Sequence, residues 1–430
     1  MTLQKIIDIF KNNRDQKLIP TLSKTQWKEL NKEYGKEEII AALIEYIRVE
    51  KPQPPVCAIT HQDMIDCFHK LKSADHMKFF LPHDEVKDKV MEKYDDYGKP
   101  YKDHGLGVVQ MGNSYIDVSN YFNQTLRMEC DVYGFKSAHH RWRNAEDLRT
   151  VFLALWRLGN DHLDEYAFVV AFRLATYIAT QFKPHVAKYV YDAPQAKVVF
   201  DSSCGWGDRL AGFFCSNAKE YYGCDPNEQV VEMYKVQCKA YFELLGEHYI
   251  LTEDKDHFVC AGVTKRVEIW RKPAEDLDYN KLPGIDVAFT SPPYFSTELY
   301  NSNGEHADEQ SWARYNEYEL WRDGFYLPVN RKTFERLNDG GLLIVNIQDP
   351  KIKNKRYYAS DDLINDLTTK YKECRFIGQL GMRIMQRPKN IAKEKLSKHF
   401  KGVYTEPMWV FGKNRDYFVC DEEGLAQFME

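Results

Sequence analysis

The second half of this chain of 430 residues predicts an α/β domain built on a mostly parallel β-sheet. From about residue 196 onward, seven short apolar runs alternate with helical stretches, and each run ends in turn-forming or charged residues. The fourth run, IDVAFT, stops at two prolines, which cannot join a β-ladder and therefore end a buried strand. With 43% hydrophobic and 29% charged residues, the chain has the composition of a globular protein.

The seven runs also predict where a ligand would bind. In chain order they are KVVFDSS, EYYGCD, VEIWRK, IDVAFTSPP, GLLIVNIQD, CRFIGQLGM and EPMWVFGK. A long polar insert rather than a helix separates the last two, so we expect them to form an antiparallel pair at one edge of the sheet. Ligands of open α/β sheets lie beyond the carboxyl ends of the strands, so the residues that follow the runs are the candidates for a site.

The region before the sheet is predicted to be mainly helical. Residues 1–50 show helical periodicity and form a small amino-terminal domain, which the stiff segment KPQPP (51–55) separates from the rest. Residues 56–190 form a mixed and helical region: no clean period is present from 56 to about 150, and the stretch 151–192 then predicts two long helices. This middle region is the candidate for target recognition and cofactor support, and residues 191–430 form the catalytic domain.

Composition excludes several classes of protein. A formal net charge of −5 argues against a general polyanion-coating protein, so a nucleic-acid site would have to be a local patch. The ten cysteines include no Cys-x-x-Cys pair, so no metal site is predicted, and their apolar neighbours indicate reduced thiols. No apolar run approaches the roughly 18 residues of a membrane-spanning helix. We therefore expect a soluble, cytoplasmic protein with no membrane partner.

A glycine-rich turn follows the first predicted strand, in the sequence DSSCGWGDR. Gly205 and Gly207 allow a tight turn in which the backbone can approach a ligand closely. The third glycine of the dinucleotide fingerprint is missing. An acid at Asp201 would repel a pyrophosphate, but it suits a ligand that carries an ammonium group. The turn therefore favours a cationic ligand over a dinucleotide.

Two further acids follow the next two runs. Asp225 ends the second run, where a carboxylate can accept both hydroxyls of a ribose. After the third run, Asp276 could accept from an adenine amino group, and Glu275 is an equal candidate. Each acid alone could instead be a helix N-cap or part of a solvated loop. Together, a cationic amino acid and a ribose describe S-adenosylmethionine, which we predict as the cofactor.

The most informative segment is Ser291-Pro292-Pro293-Tyr294, followed by Phe295. A rigid Pro-Pro turn at the carboxyl end of a strand exposes backbone carbonyls beside an aromatic face. That arrangement suits a flat heterocycle that carries an amino group. The alternative interpretation is a loop that ends a strand and has no chemical role.

From about residue 196 to 412 the sequence resembles the S-adenosylmethionine-dependent DNA amino-methyltransferases. The motifs DSSCGWG, GCDPN, TSPPYF and EPMWVF carry the resemblance, which is greatest to orphan, often phage- or virus-encoded enzymes with a GWGxRL motif. It implies a Rossmann-like, seven-stranded methyltransferase domain with one antiparallel edge strand, acting in the host cytoplasm if a phage or virus encodes it. It also implies that the helix end at 182–185 (FKPH) helps to hold the methionine end of the cofactor.

The resemblance further implies catalytic roles. Ser291 and the Pro292 carbonyl would accept hydrogen bonds from the exocyclic amino group, while Tyr294 stacks on a base flipped out of the duplex. Pro293 completes the rigid turn, and Phe295 is a second stacking candidate. Serine at the first position slightly favours N4 of cytosine over N6 of adenine. Alternatives are an RNA or mRNA-cap adenine-N6 methyltransferase, or a non-catalytic nucleic-acid-binding relative.

Three basic segments are candidates for DNA contact. The longest, RIMQRPKNIAKEKLSKHFK, carries seven Lys or Arg against one Glu, and we predict that it binds DNA through Arg387, Lys393, Lys395 and Lys398. The second contains Lys351, Lys353, Lys355 and Arg356, and the third spans residues 136–143 (KSAHHRWR). Each could instead be a solvated face without a partner.

Overall fold

The computed structural model describes residues 2–56, 58–91, 99–110, 112–132, 134–295, 299–300, 307–384 and 402–419. Its α-helices are α1 (Thr2–Asn12), α2 (Lys24–Glu33), α3 (Lys36–Glu50), α4 (His61–Lys72), α5 (His83–Val86), α6 (Tyr101–His104), α7 (Asp117–Glu129), α8 (Ala138–Arg143), α9 (Ala145–Arg157), α10 (Glu165–Ala175), α11 (Pro184–Asp192), α12 (Asp208–Cys215), α13 (Glu228–Leu244), α14 (Ser311–Arg314), α15 (Tyr318–Trp321), α16 (Leu327–Glu335) and α17 (Ala359–Lys370). Its strands are β1 (Phe80–Pro82), β2 (Val90–Met91), β3 (Gly105–Val109), β4 (Val198–Asp201), β5 (Glu220–Cys224), β6 (Ile250–Asp254), β7 (His257–Ala261), β8 (Arg266–Trp270), β9 (Ile285–Thr290), β10 (Leu337–Asn346), β11 (Lys351–Ile352), β12 (Lys355–Arg356), β13 (Cys374–Arg383) and β14 (Val403–Lys413).

The chain divides into two compact units, of which the first is helical. It comprises Met1–Ile59, Gln124–Thr180 and Leu299–Gly304. Helices α1 to α3 confirm the helical periodicity of residues 1–50, and their apolar faces bury side chains such as Phe10 and Tyr46. A capping box between Ser23 and Gln26 fixes the start of α2 because it satisfies backbone N–H groups that have no partner within the helix.

The second unit contains a twelve-stranded sheet and comprises Thr60–Asn123, Gln181–Glu298 and Glu305–Glu430. The seven predicted runs form β4, β5, β8, β9, β10, β13 and β14. The central strands lie side by side in the order β8-β5-β4-β9-β10, and every pair among them is parallel. Strand β14 then pairs antiparallel with both β10 and β13. The predicted Rossmann-like α/β fold is therefore confirmed.

Two details of the predicted sheet are wrong. The sheet has twelve strands rather than seven, because β1, β2, β3, β6 and β7 extend it. The antiparallel β13–β14 pair is not at the edge, since β3 pairs parallel with β13 and β1 pairs with β3. The outer edge of β13 thus satisfies its backbone groups with a strand from earlier in the chain.

The carboxyl ends of the central strands lie together along one side of the sheet. The parallel strands β4, β5, β8, β9 and β10 all end there, and the antiparallel β14 begins there. Strand β9 is buried on both faces, as its apolar sequence predicts, with every residue except Asp286 less than 5% exposed. Within the described residues, no helix combines the length and the apolar character needed to cross a bilayer.

Candidate active site

The glycine turn between β4 and α12 is shaped by two left-handed residues. Gly205 has a φ of 61° and Gly207 a φ of 76°, a region that side chains disfavour. A Cβ atom at Gly207 would overlap the amide end of the buried Gln237 side chain, which would have to move. At Gly205 the nearest atom would be 3.7 Å away. The side chain of Gln237 thus packs closely against Gly207, whereas a Cβ atom at Gly205 would make only ordinary van der Waals contacts.

Asp201 lies beneath this turn with its carboxylate fully buried. The carboxylate accepts hydrogen bonds from Arg209 Nε at 2.6 Å, from the Tyr221 hydroxyl at 2.9 Å and from Ser203 N at 3.1 Å. Arg209 also donates to the carbonyl of Ser203. Asp201, the acid predicted to face the ammonium group of a ligand, is thus paired with a cation of the protein itself. The sequence did not predict this partner, Arg209.

Asp225 joins the glycine turn to the end of the neighbouring strand β5. Its carboxylate accepts from Gly205 N at 2.8 Å and from Asn227 N at 3.0 Å. Burial raises the pKa of Asp225 to about 6, although the two backbone donors oppose that rise. The structure thus brings together Asp225 and Gly205, two of the predicted cofactor residues.

Asp276 and Glu275 lie in a short 3₁₀ helix (Ala274–Asp276) after β8 and share one cationic partner. Arg314 Nη1 lies 2.8 Å from Asp276 Oδ2 and 3.0 Å from Glu275 Oε1. The Asp276 side chain is 50% exposed and that of Glu275 only 8%. Burial raises the pKa of Glu275. Of the two candidates, Asp276 is thus the more accessible.

Side chains that precede β4 in the sequence hold the glycine turn in place where α12 begins. The carboxylate of Asp208, the first residue of α12, accepts from Ser119 Oγ and from Gln181 Nε2. Asn123 Nδ2 donates to the carbonyl of Trp206 at 2.9 Å. These buried polar contacts fix the turn through side chains far away in the sequence, which no local motif reveals.

The predicted helix end at 182–185 lies beside the same turn. The ring of Phe182 lies 5.2 Å from the guanidinium of Arg209, and Phe182 N donates to Asp208 Oδ2. His185 is fully buried and its Nε2 lies 2.7 Å from the carbonyl of Gln110. Burial lowers the pKa of His185 to about 4, so the ring is neutral at pH 7. Within this segment, Phe182 thus packs against the turn, whereas His185 contacts the carbonyl of Gln110.

The Ser-Pro-Pro-Tyr loop begins where β9 ends, next to the glycine turn. Strand β9 pairs parallel with β4, and Ser202 Oγ donates to Thr290 Oγ1 at 3.1 Å. Phe295 has a φ of 50° and its N–H donates to the carbonyl of Pro293, which closes the turn. The loop and the glycine turn are thus joined by a buried hydrogen bond.

The hydroxyl of Tyr294 is the centre of a polar cluster. It donates to the carboxylate of Glu406 and lies 3.2 Å from Asn346 Oδ1 and 3.4 Å from Ser291 Oγ. Ser291 Oγ lies 3.3 Å from the same Asn346 oxygen. Glu406 belongs to the EPMWVF run and received no role from the sequence. The Tyr294 ring is partly buried and rests against the core.

Phe295 lies in the hydrophobic core rather than at the surface. Only 4% of the residue is exposed, and its ring contacts Tyr318, Trp321 and Tyr357. Tyr318 and Trp321 are themselves only 5% and 0% exposed. Both therefore pack in the core, and the ring of Phe295 presents no exposed stacking face.

A basic hairpin formed by β11 and β12 follows β10. Lys353 and Asn354, with φ of 47° and 66°, form its two-residue turn. Lys351, Lys353 and Lys355 are exposed, whereas Arg356 donates to the carbonyl of Asp349. We call Lys351–Arg356 the basic hairpin.

The other basic segments differ from the hairpin. Arg387, Lys393, Lys395 and Lys398 lie outside the described residues. In residues 136–143, Lys136 lies 3.6 Å from Asp131 and Arg141 lies 3.4 Å from Asp147, so acids offset these two charges. In the hairpin, all three lysines are exposed, and Lys355 Nζ also lies 4.5 Å from the centre of the Tyr357 ring.

Within the described part of the chain, no cluster of three or more His, Cys, Asp or Glu side chains could hold a metal ion.

No protein-family model matches the sequence, and no match is found among curated proteins. Among solved structures the chain is similar to an rRNA methylase from Streptococcus thermophilus, with 16% identity, a TM-score of 0.27, and coverage of 55% of this chain and 98% of that one.

Two further solved structures show a similar degree of likeness. One is a putative methyltransferase from Streptococcus mutans in complex with SAH, with 14% identity, a TM-score of 0.30, and coverage of 54% of this chain and 98% of that one. The other is Trm1 from Pyrococcus horikoshii with S-adenosyl-L-methionine, with 13% identity, a TM-score of 0.33, and coverage of 55% and 57%. TM-scores this low carry no information about substrate, so the chemistry rests on the geometry of the site.

Proposed function

We propose that the protein is an S-adenosylmethionine-dependent methyltransferase that modifies an exocyclic amino group of a DNA base. The observation that carries the proposal is the hydrogen bond between Ser202, at the start of the glycine turn, and Thr290, the last residue before the Ser-Pro-Pro-Tyr loop. Adjacent strands lie about 4.8 Å apart. A methyl donor over the turn and a base on the loop would therefore be neighbours, as in-line transfer requires.

On the cofactor side, the three strand ends offer complementary groups. The absence of a side chain at Gly205 would let the cofactor approach the turn closely, and Asp225 would accept the ribose hydroxyls. Asp276 would accept from the adenine amino group. The buried Asp201–Arg209 pair would hold the turn in shape. The sulfonium of S-adenosylmethionine supplies the activated methyl group.

On the substrate side, the chain's groups would orient the amine rather than deprotonate it first. The lone pair of an aromatic amine is delocalised into the ring, so Ser291 Oγ and the Pro292 carbonyl would accept its hydrogens and make the nitrogen more tetrahedral. Tyr294 would stack on the flipped base and offset part of the unstacking cost. Ser291 slightly favours N4 of cytosine as the target.

The basic hairpin supports a nucleic-acid substrate. Its exposed lysines follow β10, and Tyr357, directly after the hairpin, contacts Phe295 of the Ser-Pro-Pro-Tyr loop. Lysines in this position could neutralise backbone phosphates while a base occupies the loop. The predicted contacts from Arg387, Lys393, Lys395 and Lys398 would add to the same function.

The decisive experiment is incubation with labelled S-adenosylmethionine and either DNA or RNA, followed by mass spectrometry of the nucleosides. We expect N4-methylcytosine or N6-methyladenine in DNA. If the label were found only in RNA, the substrate would be RNA rather than DNA. Cofactor binding without transfer to either nucleic acid would favour the non-catalytic relative. Tyr294→Ala and Pro293→Ala should cut transfer while calorimetry shows cofactor affinity within about twofold of wild type, since both changes lie in the loop assigned to the substrate rather than in the glycine turn.

A further inference from the structure

Three neighbouring strand ends supply the polar groups around the Tyr294 hydroxyl. Ser291 and Tyr294 follow β9, Asn346 is the last residue of β10, and Glu406 lies near the start of β14. Residues 294 and 406 are 112 positions apart in the sequence, and the pairing of β14 with β10 brings Glu406 to this edge. A carboxylate is thus placed within hydrogen-bonding reach of the loop that would hold the substrate.

The orientation of Asn346 decides which of its atoms faces the two hydroxyls. Its Nδ2 donates to the carbonyl of Pro407 at 3.0 Å, so Oδ1 is turned toward Ser291 and Tyr294. Amide oxygens and ionised carboxylates can only accept hydrogen bonds. Both partners of the hydroxyls are therefore acceptors.

The direction of each hydrogen bond follows from the number of protons. A hydroxyl has one proton, and an ionised carboxylate is a stronger acceptor than an amide oxygen. Tyr294 therefore gives its proton to Glu406. The proton of Ser291 then has two acceptors within reach, Asn346 Oδ1 at 3.3 Å and the Tyr294 oxygen at 3.4 Å, and the amide oxygen is the nearer and the stronger of the two. With its proton turned inward, Ser291 Oγ keeps its remaining lone pairs for a donor that arrives from outside.

We propose that Glu406 and Asn346 are positioning residues that fix the direction of this hydrogen-bond chain. Glu406 anchors the Tyr294 hydroxyl and so holds the ring in place for stacking, while Asn346 turns Ser291 into an acceptor for the amino group of the base. This inference rests on the proposed function and adds to it the groups that orient the loop. The site is then arranged before the substrate binds, so less ordering is required at transfer.

The chain contains a matched control for this contact. The Tyr371 hydroxyl donates to Glu335 Oε1 at 2.6 Å, a tyrosine–glutamate pair of the same chemistry. Glu335 ends α16 and Tyr371 follows α17, so both lie outside the strand-end cluster. Any general effect of removing a glutamate charge from this unit should appear equally at both positions.

The test compares Glu406→Gln, Tyr294→Phe and their double variant with Glu335→Gln. For Glu406→Gln we expect kcat to fall about tenfold or more, the effect of weakening one charge-assisted hydrogen bond, with cofactor affinity within about twofold. The double variant should be no slower than the slower single variant, because both changes break the same contact. Glu335→Gln should keep the wild-type kcat.

A second measurement does not depend on activity. With 3-fluorotyrosine at position 294, the ¹⁹F resonance should shift and broaden in Glu406→Gln and stay unchanged in Glu335→Gln. A wild-type kcat in Glu406→Gln, additive single effects, or an unchanged ¹⁹F resonance would overturn the inference. If the wild-type protein transfers no methyl group to any nucleic acid, the proposed function fails, and the ¹⁹F resonance still decides whether Glu406 anchors Tyr294.

Discussion

Cofactor affinity should depend on the ionisation of Asp225. Burial raises the pKa of this carboxyl to about 6, and an ionised carboxylate is the form that accepts both hydroxyls of a ribose. Lowering the pH through 6 should therefore protonate Asp225 and weaken binding. The matched perturbation is Asp225→Asn, which keeps the shape of the side chain and removes the titration.

The size of the effect follows from the pKa. With a pKa of about 6, roughly a tenth of the free protein carries the ionised form at pH 5 and roughly nine tenths at pH 7. Because apparent affinity scales with the fraction of competent protein, Kd should be about tenfold weaker at pH 5 than at pH 7. Asp225→Asn should bind more weakly than wild type at pH 7 and show no such slope.

The assay is calorimetric titration with S-adenosylhomocysteine at pH 5, 6, 7 and 8, on wild type and on Asp225→Asn. His185 does not interfere, since its pKa of about 4 lies below this interval. A wild-type Kd that is constant between pH 5 and pH 7 would refute the ribose assignment of Asp225. An equal slope in Asp225→Asn would assign the titration to another group.

Two further predictions concern the turn and the hairpin. Gly207→Ala should lower the free energy of unfolding by about 2 kcal/mol or more and abolish cofactor binding, because its Cβ would overlap Gln237. The control is Gly246→Ala, where φ is also positive, at 68°, but no atom lies within 4 Å of the added Cβ. Thermal unfolding of this control should show a loss of only about 1 kcal/mol. Changing the three lysines of the basic hairpin to Gln should weaken DNA binding and reduce its dependence on salt, with a slope smaller by up to about 3. The same changes at the exposed Lys239, Lys255 and Lys281 should leave the salt dependence of DNA binding unchanged. If both triple variants lost DNA affinity equally, the hairpin would have no specific role in DNA binding.

The sequence predicted the strands that carry a strong apolar signal and missed the weak ones. Strand β9 is a continuous apolar run and was predicted from it. Strand β2 has only two residues, β3 contains two glycines in GLGVV, and β6 (ILTED) is mostly exposed. Such segments have neither the length nor the periodicity of a half-buried strand, and they pair only because neighbouring edges need partners.

The candidate site shows the same division. Asp201, Asp225 and Asp276 were predicted because acids at strand ends share one edge of a parallel sheet. The partners Arg209 and Glu406 were missed for another reason. Which cation or acid meets a given group depends on side-chain packing between residues distant in the sequence, and no spacing rule encodes it. Arg209 lies eight positions from Asp201, yet the GWGDRL motif gave no sign of a buried ion pair.

Stability and cofactor binding should respond to pH in opposite directions at this edge of the sheet. Burial raises the pKa of both Asp225 and Asp349 to about 6, and Asp349 accepts from the N–H and hydroxyl of Ser360. An acid with a raised native pKa binds its proton more tightly when folded, so the free energy of unfolding falls as the pH rises from about 4 to about 6. Each carboxyl would contribute up to about 3 kcal/mol to that fall.

A bound cofactor would recover part of this stability, because it binds only the folded protein and prefers ionised Asp225. We therefore expect S-adenosylhomocysteine to raise Tm more at pH 7 than at pH 5, while the free protein has the lower Tm at pH 7. Asp225→Asn should reduce both differences, and Asp349→Asn should reduce only the second. An equal ligand-induced rise in Tm at the two pH values would show that cofactor binding does not depend on the ionisation of Asp225. The ionised carboxylate would then be a structural group of the glycine turn, held there by hydrogen bonds from Gly205, Asn227 and Tyr234.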